Sequence, residues 1–300
     1  MNSAMVAWEG RSPFTGDKCA LILTPNSANE KTGPMWQAWL LLQELSPFDA
    51  LASKRDAAIC GGCARRGHDD ESRSCYVSLF TGPLGVWRKY RAGRYPVVSL
   101  SEAARTLAGD LVRLCAYGDP VVLPLTFWRG LLQHAAGWVG YTHLWQFCDP
   151  GFRKLLMASV DSEHEQTLAS LKGWRTFRVR EIDAPIRATE FVCPASNEGG
   201  HRTTCSRCRL CRGQSSPAKS VVIIEHAKKS QPTGSTGKYG DLYRALDSGS
   251  PADVILDKRE RQRVYLAIRQ RYIRQGLDPS RVSSEKLDDG RIRFQLAEAK

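Results

Sequence analysis

Apolar positions along the chain fall into short runs separated by longer stretches with helical spacing. CALILT (19–24), LVRLCAYG (111–118), WVGYTHLW (138–145), LLMASV (155–160), WRTFRVR (174–180), EFVC (190–193) and SVVIIEH (220–226) read as strands, being short and mostly rich in β-branched or aromatic residues. SCYVSLF (74–80) reads as an eighth. Between them GPMWQAWLLLQEL, SLSEAARTLAGDL, PLTFWRGLLQHAAG and SEHEQTLASLKG space their apolar residues as helices. Ser99 or Ser101 can cap the second, and Ser162 precedes Glu163 and Glu165 in a first turn that favours acids. Gly137 and Gly173 stand just past helix ends.

Strand–helix alternation at roughly 20–30 residue spacing predicts an α/β fold with a parallel sheet under covering helices. Seven or eight strands point to a TIM-like (β/α) barrel carrying a cysteine-rich metal site. An open doubly wound sheet is the alternative, but its glycine-rich first turn is missing. Residues 1–226 form the barrel, 227–240 a linker rich in Gly, Ser, Thr and Lys, and 241–300 a small basic helix-plus-hairpin domain of α+β type. In the last, Val264, Ile268 and Tyr272 with Tyr265 make one apolar face and Arg259, Arg263 and Arg274 roughly the opposite one. Gly276 ends that helix, Asp289-Gly290 marks a hairpin turn, and Ile292, Phe294 and Leu296 alternate with polar residues. TGSTGK in the linker lacks a Walker loop's first glycine, because position 232 is Pro232.

A barrel carries its chemistry at strand C-terminal ends. Asn26, Ser27, Asp119, His143, Asp161, Ser162, Cys193 and His226 occupy such positions, and Asp119, His143 and Asp161 are the candidate catalytic residues. Plain helix capping is the competing reading for Asp161 and Ser162.

Composition narrows the partners. A formal charge of +12 over 300 residues favours a polyanion, DNA or RNA. The C-terminal domain holds little of that excess, with 13 Lys/Arg against 10 Asp/Glu in 239–300, so it serves equally well for packing or for a protein partner. VWRKYRAGRYP offers Arg88, Lys89, Arg91 and Arg94 to phosphate, with Trp87, Tyr90 and Tyr95 either stacking on bases or packing on the barrel. The start shows no charged-then-apolar leader, and the longest apolar runs fall short of the ~20 residues that span a bilayer. The expected location is the cytoplasm, that of the host cell for a phage-encoded chain.

Ten cysteines in that compartment point away from disulfides. CSRCRLC sets thiols at Cys205, Cys208 and Cys211, the compact run of a [4Fe-4S] cubane, and Cys193-Pro194 supplies a remote fourth ligand upstream. Zn2+ on the same four thiolates is the alternative. Arg202, Arg207, Arg209 and Arg212 interleave with the ligands, and no acid lies between Glu198 and Glu225. Such a field favours the reduced cluster and can dock an anion, so Arg207 and Arg209 are the candidate cofactor-contacting residues. Cys60, Cys63 and Cys75, with His68 between, fit a structural zinc site, a second cluster, or a share in the first.

The motifs SANEKTGPM, CGGC…SCYV, GPLGVWRKYRAGRYP, YGDP, GWVGYTHLW, MASVDSEHE, GWRTFRV and CP…CSRCRLC together resemble a group of bacteriophage and prophage proteins. That group looks like iron–sulfur TIM-barrel proteins distantly related to the radical-SAM class, and the resemblance covers about residues 19–226. It implies a barrel around a cluster on Cys193, Cys205, Cys208 and Cys211 and supplies no reaction. The chain departs from radical-SAM enzymes in lacking Cys-x3-Cys-x2-Cys: position 64 is Ala64 and position 209 is Arg209. Four protein thiolates on one cubane leave no open iron, which argues against SAM cleavage. The functional expectation is a phage-type iron–sulfur protein acting on or near nucleic acid, its cluster structural or redox-sensing. The alternatives are a redox or radical-type enzyme at the strand ends and a zinc-stapled scaffold that recruits a protein partner.

Overall fold

The computed structural model describes residues 3–26, 29–67, 73–80, 82–225, 251–254 and 282–296, together with 242, 246, 261, 264, 265 and 268. Ser27, His68, His226, the 227–240 linker, and Arg259, Arg263, Tyr272, Arg274 and Gly276 of the tail lie outside the described residues. The chain divides into two compact units, Met1–Ala227 and Lys228–Lys300.

The first unit is a mixed α/β structure built on a nine-stranded, mostly parallel sheet. In chain order its strands are β1 (Met5–Arg11), β2 (Lys18–Thr24), β3 (Trp36–Leu42), β4 (Leu111–Tyr117), β5 (Gly137–Thr142), β6 (Met157–Val160), β7 (Thr176–Arg180), β8 (Glu190–Val192) and β9 (Ser220–Ile224). The hydrogen-bonded order is β1-β2-β3-β4-β5-β6-β7-β9-β8. β2 runs antiparallel to both β1 and β3, and β3 onward runs parallel. The helices are α1 (Pro47–Ala52), α2 (Ala57–Cys60), α3 (Pro83–Arg91), α4 (Leu100–Thr106), α5 (Leu125–Leu131), α6 (Glu163–Leu171) and α7 (Cys205–Cys208). None of the described helices is long and apolar enough to cross a membrane.

The local signals explain the elements that match their sequence patterns. Ser99 Oγ accepts from the Glu102 N–H and opens α4, and Ser162 Oγ accepts from the Glu165 N–H and opens α6. Gly173, at φ 78, takes the left-handed position that ends α6.

Four expectations are corrected. GPMWQAWLLLQEL is not helical: its centre is β3, with six of seven residues buried. A strand covered on both faces shows a continuous apolar run rather than alternation, and periodicity cannot separate that from a buried helix. SCYVSLF forms no strand, and its carbonyls at Cys75 and Val77 accept instead from the Arg73 guanidinium. Gly137 opens β5 instead of closing a helix. Because β2 is antiparallel to β3, with Thr24 beside Gln37, Asn26 lies at the N-terminal end of the parallel strands, away from Asp119, His143 and Asp161.

Two apolar bodies cover the sheet. The larger packs β1–β4 against α4 and α5, with Trp128 fully buried and its indole N–H donating to Pro120 O at 2.8 Å. It also takes in Trp87, Tyr90 and Tyr95, and the Trp87 indole donates to Leu42 O. Those aromatics therefore pack on the sheet, while Arg88, Lys89 and Arg91 stay exposed. The smaller body gathers Val139 and Tyr141 of β5, Met157 of β6, Phe177 and Val179 of β7, and Val221 and Ile223 of β9. Alternate residues of neighbouring parallel strands share one face, and the cysteines fill the space in front of it.

In the second unit β10 (Ala252–Val254), β11 (Val282–Lys286) and β12 (Ile292–Leu296) form an antiparallel sheet with β12 central. Gly290, at φ 83, turns the β11–β12 hairpin. Ile292 and Phe294 face a core with Leu242, Leu246, Val264 and Ile268.

Candidate metal centre and strand-end cleft

All ten cysteines are free. Seven of them fall into the two groups read from the sequence, and the fold places these at different levels of the sheet.

Segment 193–211 carries the first group and is fastened at three points. Cys193 N–H donates to Val222 O of β9, at 2.9 Å. Cys205 N–H and Ser206 N–H donate to Lys31 O and Thr32 O, just ahead of β3. Cys211 O accepts from Gly140 N–H in β5 at 2.9 Å. Cys193 and Cys211 are buried, and with Cys205 they join the apolar body in front of β5, β7 and β9. Thr204 precedes the single helical turn Cys205–Cys208, and Arg209, at φ 51, reverses the chain so that Cys211 returns to the sheet.

Neighbouring thiols act on Cys205, Cys208 and Cys211. Burial pushes Cys211 up to about 12, and the neighbouring Cys193, Cys205 and Cys208 push in the same direction. Burial likewise raises Cys205 and Cys208, and the Arg113 guanidinium pulls Cys205 back. The Tyr141 hydroxyl bonds to the Cys211 sulfur. Arg113, from β4, donates to Tyr76 Oη at 2.8 Å and Thr32 Oγ1 at 3.3 Å, placing a cation against this group. Arg207 and Arg209 are exposed on the same segment.

Cys60, Cys63 and Cys75 form the second group, past the C-terminal end of β3. Cys63 N–H donates to Cys60 O in a turn, and Cys75 N–H donates to Arg65 O at 2.9 Å, drawing residue 75 beside residue 63. Burial raises Cys60 well above a free thiol, and Cys63 and Cys75 add to it. Burial pushes Cys63 up to about 12 against a hydrogen bond from the Arg65 backbone.

Around this group stand the predicted catalytic residues. Asp119 is buried and fully engaged: Oδ1 accepts from Val121 N–H, and Oδ2 from Thr142 Oγ1 at 3.1 Å and His143 N–H at 3.0 Å. It caps a one-turn 3-10 helix and fixes the end of β5, and its pKa is raised by burial. Asp119 N–H in turn donates to Ile59 O at 2.7 Å, which seats Cys60 beside it. Asp161 is held by Arg65, whose Nε and Nη2 donate to Oδ1 at 2.9 and 2.7 Å, while Arg65 Nη1 reaches Glu225 Oε1 at 2.8 Å. His143 Nε2 is enclosed, has no hydrogen-bond partner, and lies 3.8 Å from Asp161 Oδ2. His143, Asp161 and Glu165 share a cavity of about 350 Å3 whose rim includes Phe14, Trp145 and Phe147. Phe147 is 86% exposed.

Three contributors escaped sequence reading. Arg65, Arg113 and Tyr76 carry no motif, and only the tertiary structure shows that they connect β4, β6, β9 and the cysteine loops. Among the described residues, no three or more His, Cys, Asp or Glu side chains are placed so that they could hold a metal ion. A single tetrahedral zinc would draw its thiolates to about 3.8 Å of one another, given Zn–S bonds of about 2.3 Å. In a cubane each thiolate takes its own iron, so its sulfurs stand farther apart. No protein-family model, curated protein or solved structure matches the chain.

Proposed function

We propose that the chain is a phage-type iron–sulfur protein whose sheet curls into a TIM-like (β/α) barrel around a [4Fe-4S] cluster on Cys193, Cys205, Cys208 and Cys211. One observation carries this reading. Cys193, Cys205 and Cys211 join one apolar body, burial with neighbouring thiols raises the cost of ionising Cys205, Cys208 and Cys211, and backbone hydrogen bonds tie Cys193, Cys205 and Cys211 to β9, the approach to β3 and β5. Buried thiols whose ionisation is disfavoured gain most when a metal takes their charge. Support for the barrel comes from seven neighbouring parallel strands, of which β4, β5, β6, β7, β8 and β9 contribute residues to one apolar body. The cluster is structural or redox-sensing, with four protein thiolates closing its coordination.

The partner proposed is nucleic acid, met in the cytoplasm. Arg207 and Arg209 stay exposed beside the cluster loop, and Arg88, Lys89 and Arg91 stay exposed on α3, within a chain of formal charge +12.

The deciding experiment is anaerobic purification of the full chain beside Cys205→Ser. A brown protein with about four irons and four sulfides per cluster, lost in the variant, supports the reading. Colourless, iron-poor, folded protein sinks it, and one zinc in place of iron selects the Zn2+ scaffold. Binding to DNA or RNA that weakens steeply as salt rises supports the partner. A second reading, an enzyme working at the strand ends, is favoured by the unpartnered His143 Nε2 facing Asp161 at the edge of the cavity.

A further inference from the structure

The cavity past the strand ends carries the opposite sign from the chain around it. Asp161 and Glu165 line it, and among the described residues no Lys or Arg does, within a protein of formal charge +12. Each acid has one oxygen fixed by the fold. Asp161 Oδ1 accepts from Arg65 Nε and Nη2, and Glu165 Oε2 accepts from the Asp161 N–H at 2.7 Å, which ties the first turn of α6 to the end of β6. Among the described residues no hydrogen bond reaches Asp161 Oδ2 or Glu165 Oε1, and His143 Nε2, at 3.8 Å from Asp161 Oδ2, stands beyond bonding reach. Arg65 divides its single charge between Asp161 and Glu225, so it does not balance the three acids.

The rim adds a second attraction of the same sign. Phe14 and Phe147 stand exposed there, and Trp145 already carries the Lys172 ammonium 5.8 Å above its ring. Aromatic faces draw cations, as carboxylates do. We propose that this cavity binds a small organic cation, a primary ammonium on an apolar body, with the ammonium against Asp161 and Glu165 and the body against Phe14 and Phe147. About 350 Å3 suits a small ligand. The oxygens left over select the head group. An ammonium is a compact charge with three N–H donors, enough for one oxygen of each acid and for Ser159 in the same wall. A guanidinium pairs best as a fork on both oxygens of one carboxylate, and here each acid has one oxygen engaged. A bare metal ion gains little from a rim of aromatic side chains, and no three His, Cys, Asp or Glu among the described residues are placed to hold one. Phosphate-bearing ligands meet like charge in this cavity, which leaves them to the basic side chains of α3 and to Arg207 and Arg209.

Such a site deepens the reading of the strand ends as a working cleft and rests on it; it does not depend on a cluster. Isothermal titration calorimetry of the full chain as purified, with its iron content measured alongside, compares 2-phenylethylamine with its guanidine analogue, its N,N,N-trimethylammonium analogue and neutral 2-phenylethanol. The amine is expected to bind at a single site, the guanidine and trimethylammonium compounds more weakly, and the alcohol weakest. Glu165→Gln keeps an acceptor for the Asp161 N–H and should weaken the amine by about tenfold or more. Phe147→Ala, at an exposed side chain, should weaken it roughly two- to fivefold. Glu163→Gln makes the same change of charge on α6 but outside the cavity lining, and should leave the affinity unchanged. Far-UV circular dichroism confirms that each variant is folded.

Three results overturn the site: no heat of binding from the amine at millimolar concentration, an alcohol that binds as tightly as the amine, or an affinity that Glu165→Gln changes no more than Glu163→Gln does. Tighter binding of the guanidine overturns the choice of ammonium. Any of these in iron-loaded protein leaves the four-thiol reading standing. An amine that binds as expected and is recovered unchanged keeps the site and counts against the enzymatic reading of the cleft.

Discussion

Removing the charge on Glu190 should unfold the first unit far more readily than its distance from any thiol would imply. Glu190 lies in β8, and Arg178 in β7, with β9 between them. Glu190 Oε1 accepts from Arg178 Nε at 2.8 Å and Gln166 Nε2 at 2.7 Å; Oε2 accepts from Arg178 Nη2 at 2.7 Å and Arg187 N–H at 3.0 Å. The two side chains are 2% and 0% exposed. Glu190→Gln keeps the shape but leaves a guanidinium buried with no counter-charge. Breaking one side of a buried ion pair costs about 3–5 kcal/mol. At roughly 2–4 °C per kcal/mol for a domain of this size, the midpoint should fall by roughly 6–20 °C. Arg178→Met should cost a similar amount, and the double variant Arg178→Met/Glu190→Leu should recover most of the loss. Thermal unfolding followed by tryptophan fluorescence isolates the unit concerned, because all eight tryptophans precede residue 175. Since Cys193 directly follows β8, the single variants should also retain less of the iron in the proposed cluster. If Glu190→Gln unfolds within 1 kcal/mol of wild type (~1 kcal/mol being the scale of an ordinary substitution), the buried pair does not hold this edge of the sheet.

Three further outcomes follow from other parts of the structure. Burial first, and then the Asp17 charge, lifts the Cys19 thiol to about 12, so above pH ~9 the unfolded chain loses a proton that the folded one keeps. Stability of the metal-free protein should therefore fall as pH rises from ~9 to ~12, by about 1.4 kcal/mol per pH unit for this thiol, and denaturant titrations of Cys19→Ala should show a shallower fall. A Cβ at Gly199 would run into the Cys193 backbone carbonyl, whereas one at Gly62 meets nothing within 4 Å. On the proposed four-thiol cluster, Gly199→Ala should thus lower iron content although residue 199 is no ligand, and Gly62→Ala should leave it unchanged. Ser162→Ala removes the α6 cap and should cost about 1 kcal/mol by denaturant unfolding, without altering metal content.

Much of the strand inventory was legible because β4, β5, β7 and β9 are short apolar runs between turn residues, and α4 and α6 announce themselves with capping serines. β3 was not, because a strand buried on both faces lacks the alternation that marks one. The direction of β2 was equally hidden. Whether a strand is parallel depends on its partner, and that choice moved Asn26 to the far end of the sheet from His143.

The grouping of cysteines and the positions of Asp119, His143 and Asp161 near strand ends are properties of spacing, and the sequence alone carries them. The tasks of those residues are not. Asp119 turned out to be a cap tied to β5, and Asp161 an ion-pair partner of Arg65, because carboxylates take whichever donors folding brings within reach. Arg178–Glu190, Arg65–Glu225 and Arg113–Tyr76 join residues 12, 160 and 37 positions apart. Local chemistry decides what a short segment prefers, but contacts between distant segments exist only once the chain has closed on itself, and those contacts decide which polar groups remain free to act.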